Sequence, residues 1–135
     1  MKPHIQRLFV LTFVLFIGNK LVLRPWLLET SDSAVLQGLV YSVPNFCEAV
    51  MGVIILTNLA LYARRSIKAL STISNAMIYN AATLIALIYV ITQEYGGHSL
   101  GGNNTYDPID VLASILGLVF INRVIAETGF ENRNA

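Results

Sequence analysis

Apolar residues are concentrated in four long stretches that are separated by short polar segments. A helix needs about 20 mostly apolar residues to cross the hydrocarbon core of a bilayer, and each stretch meets this length. Backbone groups in lipid must find hydrogen-bond partners within their own segment, so each stretch is expected to be a helix. The pattern predicts an all-α, polytopic membrane protein with one domain and transmembrane helices at residues 5–23, 44–63, 76–95 and 108–128.

The segment between the first two predicted helices has two interpretations. Ser31, Asp32 and Ser33 are typical of a helix start, and Pro44 marks a second start because proline fits the first turn of a helix. We therefore expect residues 29–43 to form a short interfacial helix that lies on or dips into the membrane surface. The alternative is one long helix kinked at Pro44, because an internal proline removes a backbone hydrogen bond.

Positive charges are divided unequally between the two sides that these helices create. Only 13% of the 135 residues are charged, against about 25% in a soluble domain. With both termini in the cytoplasm, seven of the 9 Lys and Arg residues face inward, and Lys20 and Arg24 face outward. This bias predicts a multi-pass protein with both termini inside, and we place it in the bacterial cytoplasmic (inner) membrane. The net charge of +1 gives no reason to expect a nucleic-acid partner.

Charged residues from distant parts of the sequence collect near the outer ends of the predicted helices. The set consists of Lys20, Arg24, Glu48, Glu94, Asp107 and Asp110. Capping explains part of this pattern, because a carboxylate at a helix start binds exposed N–H groups and favours the helix dipole. Glu48 and Asp110, however, are expected about one turn inside their helices. A charge at that depth is unfavourable unless it is paired or faces a wet cavity, so we expect the set to form a polar pocket.

Two helices carry notable residues that share a face. They are Asn45, Glu48 and Gly52 on the second helix, and Asp110, Ala113, Ser114 and Gly117 on the fourth. The small residues on the face of the fourth helix allow the backbones of membrane helices to approach closely. Asn80 is expected to hydrogen-bond to a neighbouring helix, and Gly129 to cap the end of the fourth helix.

The sequence contains no complete catalytic motif. Cys47 is the only cysteine, which excludes an intrachain disulfide, and we interpret it as a small apolar side chain in the core. His4 and His98 fall on opposite sides of the predicted membrane, so neither a zinc site nor any other metal or cofactor is expected. These features favour a binding function over an enzymatic one.

The C-terminal half resembles the VanZ-like family of small bacterial membrane proteins. The resemblance covers about residues 93–120 and rests on Gln93-Glu94, a polar loop, Asp107-Pro108-Ile109-Asp110, and then Ser114 and Gly117 on one helix face. The positions that match the family pattern are Glu94, Asp107, Asp110 and Gly117. The chain departs from the pattern before Asp107, where the family often has an arginine, and at Ser114, where an asparagine is common. The resemblance implies a role in the cell envelope, because the family is linked to glycopeptide resistance by an unresolved mechanism.

These inferences predict a small cell-envelope protein whose outer polar pocket binds a lipid or cell-wall-precursor headgroup. Its expected partners are membrane lipids and a lipid-linked or headgroup ligand, together with a second copy or another membrane protein. Three alternatives remain at this stage. One is a small homo-oligomeric transporter that is coupled to protons through Glu48, and another is a structural subunit of a membrane complex. The third is a membrane enzyme that acts on lipid-linked substrates.

Overall fold

The computed structural model of the protein describes residues 1–94 and 108–131, and the regular structure in these ranges is helical. Its elements are α1 (Pro3–Gly18), a π-helical turn (Asn19–Leu23), α2 (Arg24–Thr30), α3 (Ala34–Ser66), a 3-10 turn (Lys68–Leu70), α4 (Asn75–Glu94) and α5 (Pro108–Thr128). Within the described ranges, four segments are long and apolar enough to cross a membrane, namely Pro3–Thr30, Ala34–Ser66, Asn75–Gln93 and Pro108–Thr128. The predicted all-α architecture with four spans is confirmed.

The first span continues beyond its predicted end near residue 23. The backbone remains helical to Thr30, through the π turn and past Pro25. Pro25 lies at the start of α2, directly after the π turn, and has no N–H to donate to that turn. The N–H of Arg24 bonds to the carbonyl of Asn19, five residues earlier, so the π turn accommodates one additional residue without ending the helix.

The second span corrects the expectation of a separate interfacial helix at residues 29–43. The structure gives the alternative of a long helix: α3 runs from Ala34 to Ser66 with Pro44 inside it. Its 33 residues correspond to about 50 Å, which exceeds the roughly 30 Å of a hydrocarbon core. Pro44 and the nearby Ser42 are both buried, so tertiary contacts support the helix where the proline removes a backbone bond.

The bundle is organised around α3, which packs against α1, α4 and α5 and has its most extensive interface with α5. The core contains side chains with no exposed surface, among them Val50 and Val53 of α3 and Ile121 of α5. Many other large apolar side chains point outwards, as in Leu11 and Leu21. Outward-facing apolar residues are expected where the surrounding solvent is lipid.

The first residues of the chain and the residues that follow α5 up to Glu131 lie at one end of the bundle, which we call the terminal end. The backbone N–H of Lys2 donates to the carbonyl of Phe130 at 2.8 Å, and the Lys2 ammonium group donates to the carbonyl of Thr128. Gly129 has a φ of 71° and its N–H bonds to the carbonyl of Ile125, so the predicted C-cap is confirmed. The opposite end of the bundle, which contains the π turn and the start of α5, is called the distal end.

Candidate functional site

A cleft between α3, α4 and α5 contains the predicted polar face of α3. Its volume is about 100 Å³, and the residues that line it are Asn45, Glu48, Ala49, Gly52, Leu56, Ala86, Tyr89, Val90, Gln93 and Ser114. The i, i+3 and i+7 spacing of Asn45, Glu48 and Gly52 puts them on one side of α3, as predicted. The cleft therefore combines one carboxylate and two amide side chains with apolar walls.

Glu48 is paired with a cation from the first span. The Lys20 Nζ atom lies 3.6 Å from the Glu48 Oε1 atom, and the two side chains are 44% and 41% exposed, respectively. Lys20 belongs to the π turn, and its ammonium group also lies 4.3 Å from the centre of the Phe16 ring. The pair is half exposed, so it contributes only about 0–1 kcal/mol to stability. It marks the edge of the cleft with two opposite charges that a ligand can reach.

The position of Glu48 within its helix differs from the expectation. Because α3 begins at Ala34, Glu48 lies 14 residues into the helix (48 minus 34) and not about one turn from its start. The difference follows from the continuous helix through Pro44, which adds residues before the predicted start of the span.

Arg24 does not join the Lys20–Glu48 pair. Its guanidinium carbon lies 4.0 Å from the centre of the Tyr41 ring, near the start of α3. A guanidinium group over an aromatic face is a cation–π contact, which contributes about 0.5–1 kcal/mol at an exposed site. Arg24 therefore fastens α2 to the extension of α3 that the sequence analysis assigned to a separate helix.

Asp110 contacts Ser42. Its Oδ1 atom accepts from the Ser42 hydroxyl at 3.0 Å, and the same hydroxyl lies 2.9 Å from the carbonyl oxygen of Gly38. Ser42 precedes Glu48 by six residues, which is about 9 Å along a helix. Asp110 thus contacts α3 on the distal side of the cleft, where it joins the start of α5 to the extension of α3.

The predicted set of six charged residues is therefore only partly gathered. Lys20 and Glu48 meet at the cleft, whereas Arg24 and Asp110 contact other residues of α3. Asp107 and the side chain of Glu94 lie outside the described residues. Ser42 and Tyr41 were missed by the sequence analysis, because their roles depend on a helix that continues through Pro44.

The back of the cleft is formed by close contact between α5 and α3. The Ser114 hydroxyl donates to the carbonyl of Asn45 at 3.5 Å, which is at the long limit for a hydrogen bond. Gly117 lies directly against the α3 backbone, since a Cβ atom placed there would be 2.6 Å from the carbonyl oxygen of Phe46. The predicted small-residue face of the last span is confirmed at these two positions, and it lets α5 close the cleft.

A second polar network lies at the terminal end, and the sequence analysis did not foresee it. Glu131 accepts from Arg65 at 2.8 Å and lies 3.7 Å from Arg64, while Arg64 also donates to Asn75 at 2.6 Å. The His4 ring nitrogen lies 2.8 Å from the Thr128 hydroxyl. The only sequence signal was Phe130, an apolar residue in an otherwise polar tail, and its side chain is fully buried. This network joins the start of α1 to the end of α5, and Glu131 to the α3–α4 connection.

The amide contact between neighbouring helices is made by a different residue from the one predicted. Asn122 of α5 donates to the hydroxyl of Thr83 on α4 at 3.0 Å. Asn80, one turn before Thr83, is exposed on the surface next to this contact. A polar contact therefore joins α4 and α5, and the amide side chain that makes it is Asn122 and not Asn80.

The chemistry available at the cleft is ion pairing and hydrogen bonding. Among residues 1–94 and 108–131, no group of three or more His, Cys, Asp or Glu side chains could hold a metal ion. Cys47 is a free cysteine, and it is buried. Comparison of the chain with family models, curated proteins and solved structures returns no match. The resemblance to the VanZ-like family therefore stays a prediction.

Proposed function

We propose that this protein is a multi-pass protein of the bacterial inner membrane that binds the polar headgroup of a lipid or a lipid-linked cell-wall precursor. The observation that carries the proposal is the cleft with Glu48 at its edge and Lys20 only 3.6 Å away. Half-exposed opposite charges beside an apolar-walled cleft suit an amphipathic ligand with its own charged or hydroxyl groups. The terminal end faces the cytoplasm in this proposal, and the cleft opens toward the outer side.

The composition of the cleft indicates which headgroup chemistry fits. Glu48 is the carboxylate among the described lining residues, and a carboxylate accepts hydrogen bonds from ammonium and hydroxyl groups. Asn45 and Gln93 each add amide donors and an acceptor, whereas Tyr89 adds an aromatic surface. We therefore favour a headgroup with a primary amine or several hydroxyl groups over a purely anionic phosphate.

A ligand that binds Glu48 must compete with the Lys20 ammonium group. Its ion pair with Glu48 is half exposed, so breaking it costs about 1 kcal/mol or less. A ligand ammonium or hydroxyl group that donates to Glu48 replaces the lysine, which returns to water or to a ligand phosphate. The released Lys20 is then free to neutralise the phosphate of the same headgroup.

The segment that resembles the VanZ-like family reaches the same place on the molecule. Gln93, from the Gln-Glu pair of the resemblance, lines the cleft, and so does Ser114, where the chain departs from the family pattern. Gly117 lies one turn below Ser114 and lets α5 approach α3. Gln93, Ser114 and Gly117 of this segment therefore lie at the cleft or its back wall.

Binding by purified protein tests the proposal. Titration with short-chain phosphatidylethanolamine, and separately with an undecaprenyl-linked amino sugar, should give saturable binding to the wild type for at least one probe. Glu48→Gln keeps the shape of the side chain but removes its charge, so we expect at least about a tenfold loss of affinity, as for a charge-assisted hydrogen bond. Glu127→Gln makes the same change at an exposed position of the terminal end and should bind as the wild type does.

Two outcomes would overturn this function. One is the absence of saturable binding of both probes to folded wild-type protein, and the other is equal affinity of the Glu48→Gln and Glu127→Gln variants. An equal loss of affinity in both variants would also overturn the function, because it would report the charge of the protein surface and not a contact in the cleft.

The orientation has its own test. In a Cys47→Ser background, Glu29→Cys places a thiol at an exposed position of the distal end, and Glu127→Cys places one at the terminal end. A membrane-impermeant maleimide should label the first thiol in intact spheroplasts and the second only after permeabilisation. The reverse pattern would put the cleft on the cytoplasmic side and remove the proposed access to envelope precursors.

A further inference from the structure

We infer that a second lipid site lies between α4 and α5 near the terminal end, and that its occupant is an anionic phospholipid of the surrounding bilayer. This α4–α5 groove has a volume of about 370 Å³ and is separate from the cleft. The residues that line it are Asn80, Thr83, Leu84, Leu87, Ile115, Leu118, Val119, Asn122 and Arg123.

The lining changes from polar to apolar along the helices. Asn80 lies five residues after the start of α4 and Arg123 five residues before the end of α5. These two positions are each about 7.5 Å inside the helix end. The ends meet on the same side, because Arg64 contacts both Asn75 and Glu131. From this polar opening, the groove continues toward the middle of the bundle over leucine, isoleucine and valine side chains.

Arg123 supplies the positive charge that a site for an anionic headgroup requires. It is exposed, and in the described part of the chain no carboxylate lies within ion-pair distance of it. By contrast, Arg64 and Arg65, which also lie at this end, are occupied by Glu131. An arginine at this depth in a bilayer is unfavourable without an anionic partner or a path to the interface.

Hydrogen-bonding groups complete the opening of the groove. Asn122 donates to Thr83 at 3.0 Å and fixes α4 against α5 at the base of the polar part. The exposed amide of Asn80 lies beside them and offers donors to the ester or phosphate oxygens of a lipid. Basic pockets between transmembrane helices are a known form of anionic headgroup site. A phospholipid phosphate at Arg123, with an acyl chain over Leu84, Leu87 and Val119, satisfies both parts of the groove.

Native mass spectrometry of the intact protein, released from vesicles of phosphatidylglycerol and phosphatidylcholine, tests this site. The wild type should retain phosphatidylglycerol in preference to phosphatidylcholine. Arg123→Gln should lower the retained phosphatidylglycerol about fivefold or more, the effect of losing one cationic contact. The matched control is Arg7→Gln, which removes an exposed charge at a similar depth on α1 and should change retention little.

A second pair of variants tests the groove without changing charge. Val119→Trp fills the groove with an aromatic side chain at an exposed position, and Leu116→Trp adds the same ring at an exposed α5 position outside it. We expect the first variant alone to lose phosphatidylglycerol. Equal retention of the two lipids by the wild type, or equal losses in Arg123→Gln and Arg7→Gln, would overturn the inference. So would disulfide-linked dimers of a Val119→Cys variant, since they would show that a second copy covers this face.

Discussion

Replacing Gly117 by alanine tests the contact that closes the back of the cleft. An added Cβ atom would lie 2.6 Å from the carbonyl oxygen of Phe46 and 3.1 Å from the Cβ atom of Ala49. Ordinary contacts begin near 3.4 Å, so α5 must move by about 0.8 Å away from a backbone atom of α3, which is a rigid neighbour in a packed interior. Overpacking of this kind costs about 1–3 kcal/mol.

The change of residue type itself works in the opposite direction. Alanine favours a helix over glycine by about 0.8–1.0 kcal/mol. The net effect of Gly117→Ala is therefore a loss of about 1 kcal/mol in the free energy of unfolding. Steric trapping of the purified protein as it unfolds reversibly in bicelles measures this free energy of unfolding.

Gly52→Ala is the matched control for this prediction. Gly52 lies in α3, and a Cβ atom there would meet nothing within 4 Å. The variant has the same helix-propensity term without the clash, so it should be as stable as the wild type or more stable. If the two variants agree within about 0.5 kcal/mol, the limit for independent additive effects, the close approach of α5 to α3 does not exist as described.

Two further substitutions test contacts at the ends of the bundle. Ser42→Ala removes the donor to Asp110 and should lower the free energy of unfolding by about 1 kcal/mol, the net value of one hydrogen bond; unchanged stability in the same unfolding assay would contradict that link. Glu131→Gln removes the negative charge that pairs with both arginines and should make the C-terminal tail more susceptible to limited proteolysis, with a stability loss of about 1 kcal/mol or less. Glu127→Gln is its control, and equal proteolysis of the two variants would show that the arginine contacts do not hold the tail.

The sequence predicted those parts of the fold that depend on local signals. The last span begins at Pro108 and ends before Gly129 as predicted, because each residue acts on the helix end through its own backbone conformation. The polar face of α3 at Asn45 and Glu48 followed from helical spacing alone, and both residues line the cleft.

The parts that escaped prediction depend on tertiary contacts. Pro44 is a stop or restart signal when only neighbouring residues are considered, yet α3 passes through it, with Pro44 buried in the bundle. The Ser42–Asp110 bond and the Arg24–Tyr41 contact follow from this continuation, so neither was predictable from helix periodicity. The set of six charged residues was predicted from the topology. Topology predicts the side of the membrane on which each charge lies, but it does not predict which acid pairs with which base.

The backbone hydrogen bond between Lys2 and Phe130 has a consequence for biosynthesis. Translation delivers Lys2 at the start and Phe130 only after all of α5, so their backbone hydrogen bond forms late. Until then the first residues and the turn after α3 have no C-terminal partner, and Arg65 is without Glu131. A nascent chain arrested before Phe130 therefore lacks both the Lys2–Phe130 bond and the Arg65–Glu131 contact at this end.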